Sequence, residues 1–96
     1  MARILVRKTH VLAVAEVRGR LERLAVSAQQ RHRVRWRWDS DALEVFPPPG
    51  MGQGARGRVV VGERDVRVEV ELPLSLSPAR GLVERRVVKG LDDLLR

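Results

Sequence analysis

The chain has no cysteine and no tyrosine, one phenylalanine, two tryptophans and two histidines in 96 residues. Without cysteine there is no disulfide, no zinc ribbon and no thiol nucleophile. The two histidines, His10 and His32, flank a predicted helix of ~20 residues. At 1.5 Å per residue they stand roughly 30 Å apart, too far to share a metal or to form one acid/base pair. No run approaches the ~20 apolar residues that span a bilayer. The start, Met1-Ala2-Arg3-Ile4, lacks the long apolar run of a signal peptide, so the expected compartment is the cytoplasm. Acids are also few, 12 against 19 basic residues. What is present is a composition 44% hydrophobic and 32% charged, that of a folded chain and not of a disordered tail. The length predicts one domain, residues 1–96, burying roughly 60–65% of its unfolded surface.

The net charge of +7 is unevenly placed. Residues 1–37 carry ten basic groups against Glu16 and Glu22, a net of +8, and the remainder carries nine against ten, a net of −1. Arg18, Arg20, Arg23, Arg31, Arg33, Arg35 and Arg37 are therefore the candidate surface for an anionic partner: nucleic acid, phospholipid or an acidic protein. The alternative is a solvated face, since 17 of the 19 basic residues are arginine, as a coding bias would produce.

Residues 3–8 alternate as a short strand, with Ile4 and Val6 on one side. A helix follows from about Ala13 to Gln30, its stripe formed by Val14, Val17, Leu21, Leu24 and Ala28. Residues 33–38 alternate throughout, placing Val34, Trp36 and Trp38 on one face and Arg33, Arg35 and Arg37 on the other. A two-residue loop at Ser40-Asp41 sets Trp38 opposite Leu43, Arg37 opposite Glu44 and Trp36 opposite Val45. The segment 47–54, rich in proline and glycine, is a loop. A second hairpin turns at Glu63-Arg64, pairing Val61 with Val66, Val59 with Val68 and Gly57 with Val70. Both hairpins keep apolar residues on one face, which a one-residue slip would undo. The fifth strand is predicted to run to about Leu76. Ser77 then serves as N-cap and Pro78 as first residue of a last helix with Val83, Val87, Leu91, Leu94 and Leu95 on its stripe. The expected fold is α+β, in the order β-α-β-β-β-β-α. It is a five-stranded antiparallel sheet, strand order 1-5-4-3-2, with both helices on its apolar face.

No constellation supplies chemistry. Residues 52–57 spell Gly-x-Gly-x-x-Gly, but the segment precedes a strand where a dinucleotide site needs a helix N-terminus. Asp39/Asp41 lie in a turn and Asp92/Asp93 at an exposed helix end, and neither pair has a histidine or lysine placed to make it catalytic. No catalytic residue, metal ligand or cofactor is expected, and an enzyme is not expected. The run Arg33-Val34-Arg35-Trp36-Arg37-Trp38 mixes basic and aromatic residues as nucleic-acid strands do. Its parity, however, sends Trp36 and Trp38 toward the helices, as core or as the wall of an apolar pocket. Phe46 is the one aromatic expected on the polar face, as a partner contact or as the end of its strand.

Arg7-Lys8-Thr9-His10-x-Leu12, Ala25 in the following helix, Val34-x-Trp36-x-Trp38, Leu43-x-Val45, Gly57-x-Val59-x-Val61 and Val66-x-Val68-x-Val70-x-Leu72 together resemble the polyhydroxyalkanoic acid system proteins. These are small bacterial proteins named for association with polyester storage-granule genes. The resemblance covers nearly the whole chain and implies a role at the granule or with its accessory proteins, without implying catalytic residues. The 47–54 loop is longer than that family's usual connection. The element order also resembles a shortened helix-grip fold, whose members often hold apolar ligands between the sheet and the last helix.

The first functional expectation is thus a non-enzymatic accessory protein binding the polyester granule surface or a granule-associated protein, through the basic helix face or the loop with Met51. The alternatives are a basic nucleic-acid-binding regulator and a small apolar-ligand carrier. Exposed sheet edges leave a homodimer open.

Overall fold

The computed structural model describes residues 2–50 and 53–96. Met51 and Gly52, and with them the expected contact at Met51 and the start of the Gly-x-Gly-x-x-Gly string, lie outside the described residues. Strand β1 (Ala2–Thr9) carries the alternation to its limit, Ile4 wholly buried and Leu5 63% exposed. Helix α1 (Val14–His32) follows, then β2 (Arg35–Asp39), β3 (Ala42–Phe46), β4 (Arg56–Val61) and β5 (Asp65–Leu72). A 3-10 turn (Leu74–Ala79) leads into α2 (Arg80–Leu94). The sheet order is β1-β5-β4-β3-β2, antiparallel throughout. The fold is α+β, as the sequence predicts.

Both hairpins take the expected register. Trp38 faces Leu43, Arg37 faces Glu44 and Trp36 faces Val45; Val61 faces Val66, Val59 faces Val68 and Gly57 faces Val70. The turns close as two-residue loops, with Ser40 at φ 56 and the Gly62 N–H donating to Asp65 O at 2.8 Å. β1 completes the sheet against β5, Ile4 opposite Val70 and Val6 opposite Val68.

Four expectations are corrected. Arg33 does not belong to a strand. No helix breaker stands between Gln30 and His32, so α1 runs on, and Arg33 turns the chain toward the sheet in a left-handed conformation (φ 59), its N–H donating to Gln29 O at 3.0 Å. β2 begins two residues later. β5 stops at Leu72, because Pro73 has no N–H to continue the ladder. Ser77 and Pro78 then fall inside the 3-10 turn, and Ser77 Oγ donates to Leu74 O at 2.9 Å instead of capping α2. The helix stripe also shifts by one side chain. Val17, Leu21 and Ala25 are buried, whereas Leu24 is 53% exposed. Leu24 lies about 60° around the helix from Leu21, on its flank.

The core joins Val17, Leu21 and Ala25 of α1 and Leu91 and Leu94 of α2 to Leu43, Val61, Val66 and Val68 of the sheet. Each valine or leucine among them contributes about 1.5–3 kcal/mol when fully buried. The opposite face of the sheet carries ion pairs, Arg3 with Glu71 (3.7 Å) and Arg7 with Asp65 (2.6 Å) between the neighbouring strands β1 and β5, and Arg58 of β4 with Asp39 of β2 (3.5 Å) across β3.

Candidate functional site

The seven arginines of the candidate anionic surface are not gathered in one place. Arg35 and Arg37 alternate with the tryptophans and so lie on the open face of the sheet. There Arg37 meets Glu44 at 3.1 Å and Arg35 donates to Pro47 O at 3.2 Å. Their guanidinium groups stand 6.0 and 5.7 Å from the Phe46 ring centre, which gives that aromatic its place on a polar face. Glu44 is only 5% exposed and also meets Arg56 at 3.5 Å. Arg18, Arg20, Arg23 and Arg31 sit on α1, across the sheet from these. Arg18 covers the Trp38 ring at 4.0 Å and donates to Ser40 O at 3.1 Å. Arg20 donates to Glu16 (2.9 Å), to Leu94 O (3.0 Å), the last carbonyl of α2, and to Arg96 O (2.7 Å) just beyond it. The side chains of Arg23, Arg31 and Arg33 are exposed and have no ion-pair or hydrogen-bond partner among the described residues. Four of the seven charges are thus engaged within the fold, and three face solvent along α1 and its C-terminus.

Trp36 and Trp38 are half-buried and pack on the core. Each indole N–H has a partner on α1: Trp36 donates to Gln29 and Trp38 to Glu22, both at 2.9 Å. Glu22 and Gln29 are two helical turns apart, so both lie on the flank of α1 that overhangs β2. These pairs tie the outermost strand to the helix and satisfy the polar end of each ring. The part played by Glu22 and Gln29 was missing from the sequence-based expectations. Their seven-residue spacing signals a shared helix face but does not say what that face meets.

A trough runs between α1 and α2 above the sheet. Its inner end passes beneath α1 alone, as a hollow of about 190 Å³ beside Trp36 between Leu24 and Ala28 of that helix and Val45 and Val59 of the sheet. A second hollow of about 150 Å³ continues over Val59 and Val68 to Val87 and Leu91. The side chains lining both are apolar throughout. Beyond Gly90 the trough widens to about 460 Å³ and becomes polar, with Arg20, Arg23, Ser27 and Asp93. Leu24 lines all three sections, which is what its displacement from the core stripe accomplishes.

Residues 4–95 match the sequence family described as "Putative polyhydroxyalkanoic acid system protein". The chain belongs to that family. No curated protein and no solved structure matches it.

Among the described residues, no group of three or more His, Asp or Glu side chains is placed to hold a metal ion. His10 is buried and serves the fold. Its Nδ1 accepts from the Leu12 N–H at 3.1 Å, so its Nε2 carries the proton and donates to Gly62 O at 3.0 Å. No helix among the described residues is long and apolar enough to cross a membrane. The arrangement offers chemistry of binding: an apolar trough ending at arginine, and exposed cations on α1.

Proposed function

We propose that this chain is a non-enzymatic accessory protein of the polyhydroxyalkanoic acid system, working in the cytoplasm by binding the polyester granule surface or a granule-associated protein. The family match over residues 4–95 carries this reading. It is supported by the helical layer, which keeps Leu24, Val26, Leu82 and Val88 at 38–53% exposure beside the unpartnered Arg23 and Arg31. Such a mixture of aliphatic and cationic side chains suits an apolar surface coated with anionic amphiphiles or acidic protein.

Co-sedimentation with polyester granules tests the proposal. Purified protein is spun with native granules and with granules stripped of protein. Retention on stripped granules indicates the polymer or lipid surface, and retention on native granules alone indicates a protein partner. Protein left in the supernatant with both would defeat the proposal. Titration with DNA and RNA addresses the nucleic-acid alternative. A steep loss of affinity with rising salt, as several phosphate contacts produce, would replace the granule reading.

A further inference from the structure

The trough that runs from beneath α1 to the cleft between the two helices has a directional chemistry. Two hollows of about 190 and 150 Å³ are walled by carbon. An engineered cavity of about 150 Å³ takes up benzene, so these admit on the order of six to twelve carbons. The section that follows holds Arg20 and Arg23 against one acid, Asp93. Asp93 is already paired with Lys89 at 3.2 Å and Arg96 at 3.3 Å, and Arg20 is committed to Glu16 and to the carbonyls of Leu94 and Arg96. Arg23 remains as the cation without a partner at the mouth. The α2 wall is left open by Gly90, where a Cβ would meet nothing within 4 Å.

We propose that this trough binds a single medium-length acyl chain that ends in a carboxylate, the chain lying against Trp36, Val45 and Val59 and the carboxylate at Arg23. An apolar groove alone would accept any greasy segment; the change from carbon walls to a lone arginine selects an anionic amphiphile. This ligand class follows from the residues of the trough. That the natural ligand is a hydroxyalkanoate, the acid from which the family's polymer is built, rests on the function proposed above.

The two tryptophans make the test direct. Trp36 lines the inner hollow, and Trp38 is held by Glu22 and Arg18. In the full-length Trp38→Phe protein, titration with octanoate shifts the Trp36 emission saturably within about 5 mM, the range that a few buried methylenes supply. 1-Octanol binds about twofold to fivefold more weakly, the worth of one exposed charge contact. Arg23→Gln abolishes that preference while keeping the octanol affinity. Gly90→Leu fills the trough and lowers both affinities about tenfold or more, and its thermal unfolding shows that the fold survives. Backbone amide shifts in NMR at Leu24, Ala28 and Val59 supply a second readout should the tryptophan substitution disturb folding. The proposal is overturned by the absence of saturable binding, by undiminished binding in Gly90→Leu, or by equal affinities for acid and alcohol. No granule enters the experiment, so its failure and the failure of granule docking are separate results.

Discussion

Replacing Gly90 with alanine raises stability, and the structure sets the size of the effect. Gly90 lies inside α2, and the glycines at positive φ among the described residues are Gly50 and Gly54, so Gly90 needs no left-handed freedom. An added Cβ meets no atom within 4 Å, which removes both a packing gain and a clash from the balance. What remains is helix propensity, about 0.8–1.0 kcal/mol between glycine and alanine in a helix interior. For a chain of this size that is a rise in Tm of about 3–6 °C. Gly62→Ala supplies the opposing control. Its Cβ would stand 2.5 Å from Asp65 Oδ1 and 3.2 Å from Asp65 O, in the turn whose carbonyl also receives His10, and a loss of about 1–3 kcal/mol is expected. Urea titrations at equal m-value read both differences directly. A neutral or destabilising Gly90→Ala would show that the α2 wall of the trough is not open, and would remove the steric basis of the ligand proposal with it.

Arg20→Met strips the cap from α2 and is expected to cost about 1–2 kcal/mol, read from the urea midpoint and from faster amide exchange in the last turn of that helix. An unchanged exchange rate would refute the capping role. His10→Ala leaves the Gly62 carbonyl and the Leu12 N–H without their partner, and should cost about 1–3 kcal/mol in the same assay. Arg18→Ala uncovers the Trp38 ring, with an expected red shift of Trp38 emission in a Trp36→Phe background and a loss of about 0.5–1 kcal/mol. Lys8 pairs with Asp92 across β1 and α2, both side chains being close to half exposed. Lys8→Ala should therefore cost less than about 1 kcal/mol, a difference that fades at high salt.

Most of the sheet was legible because its signal is local and parity-bound. Trp36, Trp38, Leu43 and Val45 share a face under only one register, and so do Val59, Val61, Val66 and Val68. The misplaced boundaries have equally local causes. Arg33 is a residue of ordinary strand propensity in a left-handed turn, and alternation continues through Pro73 although the ladder cannot. The site was legible in its composition and not in its geometry. Trp36 and Trp38 were assigned to core or pocket, and the structure gives Trp36 a place in both. Whether Leu24 or Ala25 would face the sheet depends on the roll of α1, which the indole contacts to Glu22 and Gln29 help to fix. The opening at Gly90 depends on where α2 lies relative to α1, and no spacing within either helix encodes that.

The placement of β1 beside β5 has a consequence for synthesis. Arg7 and Asp65 are 58 positions apart in the chain yet adjacent in the sheet. The four strands from β2 to β5 pair in chain order and can zip from neighbour to neighbour as they leave the ribosome. β1 is made before its one sheet partner, β5, which follows after roughly 3–12 s at 5–20 residues per second. Throughout that interval Ile4, Leu5 and Val6 form an apolar strand without a partner, the kind of segment that pairs with other chains. Arg3 on one side and Arg7-Lys8 on the other bracket it with positive charge, the usual guard on such a strand. Part of the basic excess of the first 37 residues thus stands where a nascent apolar strand needs flanking charge.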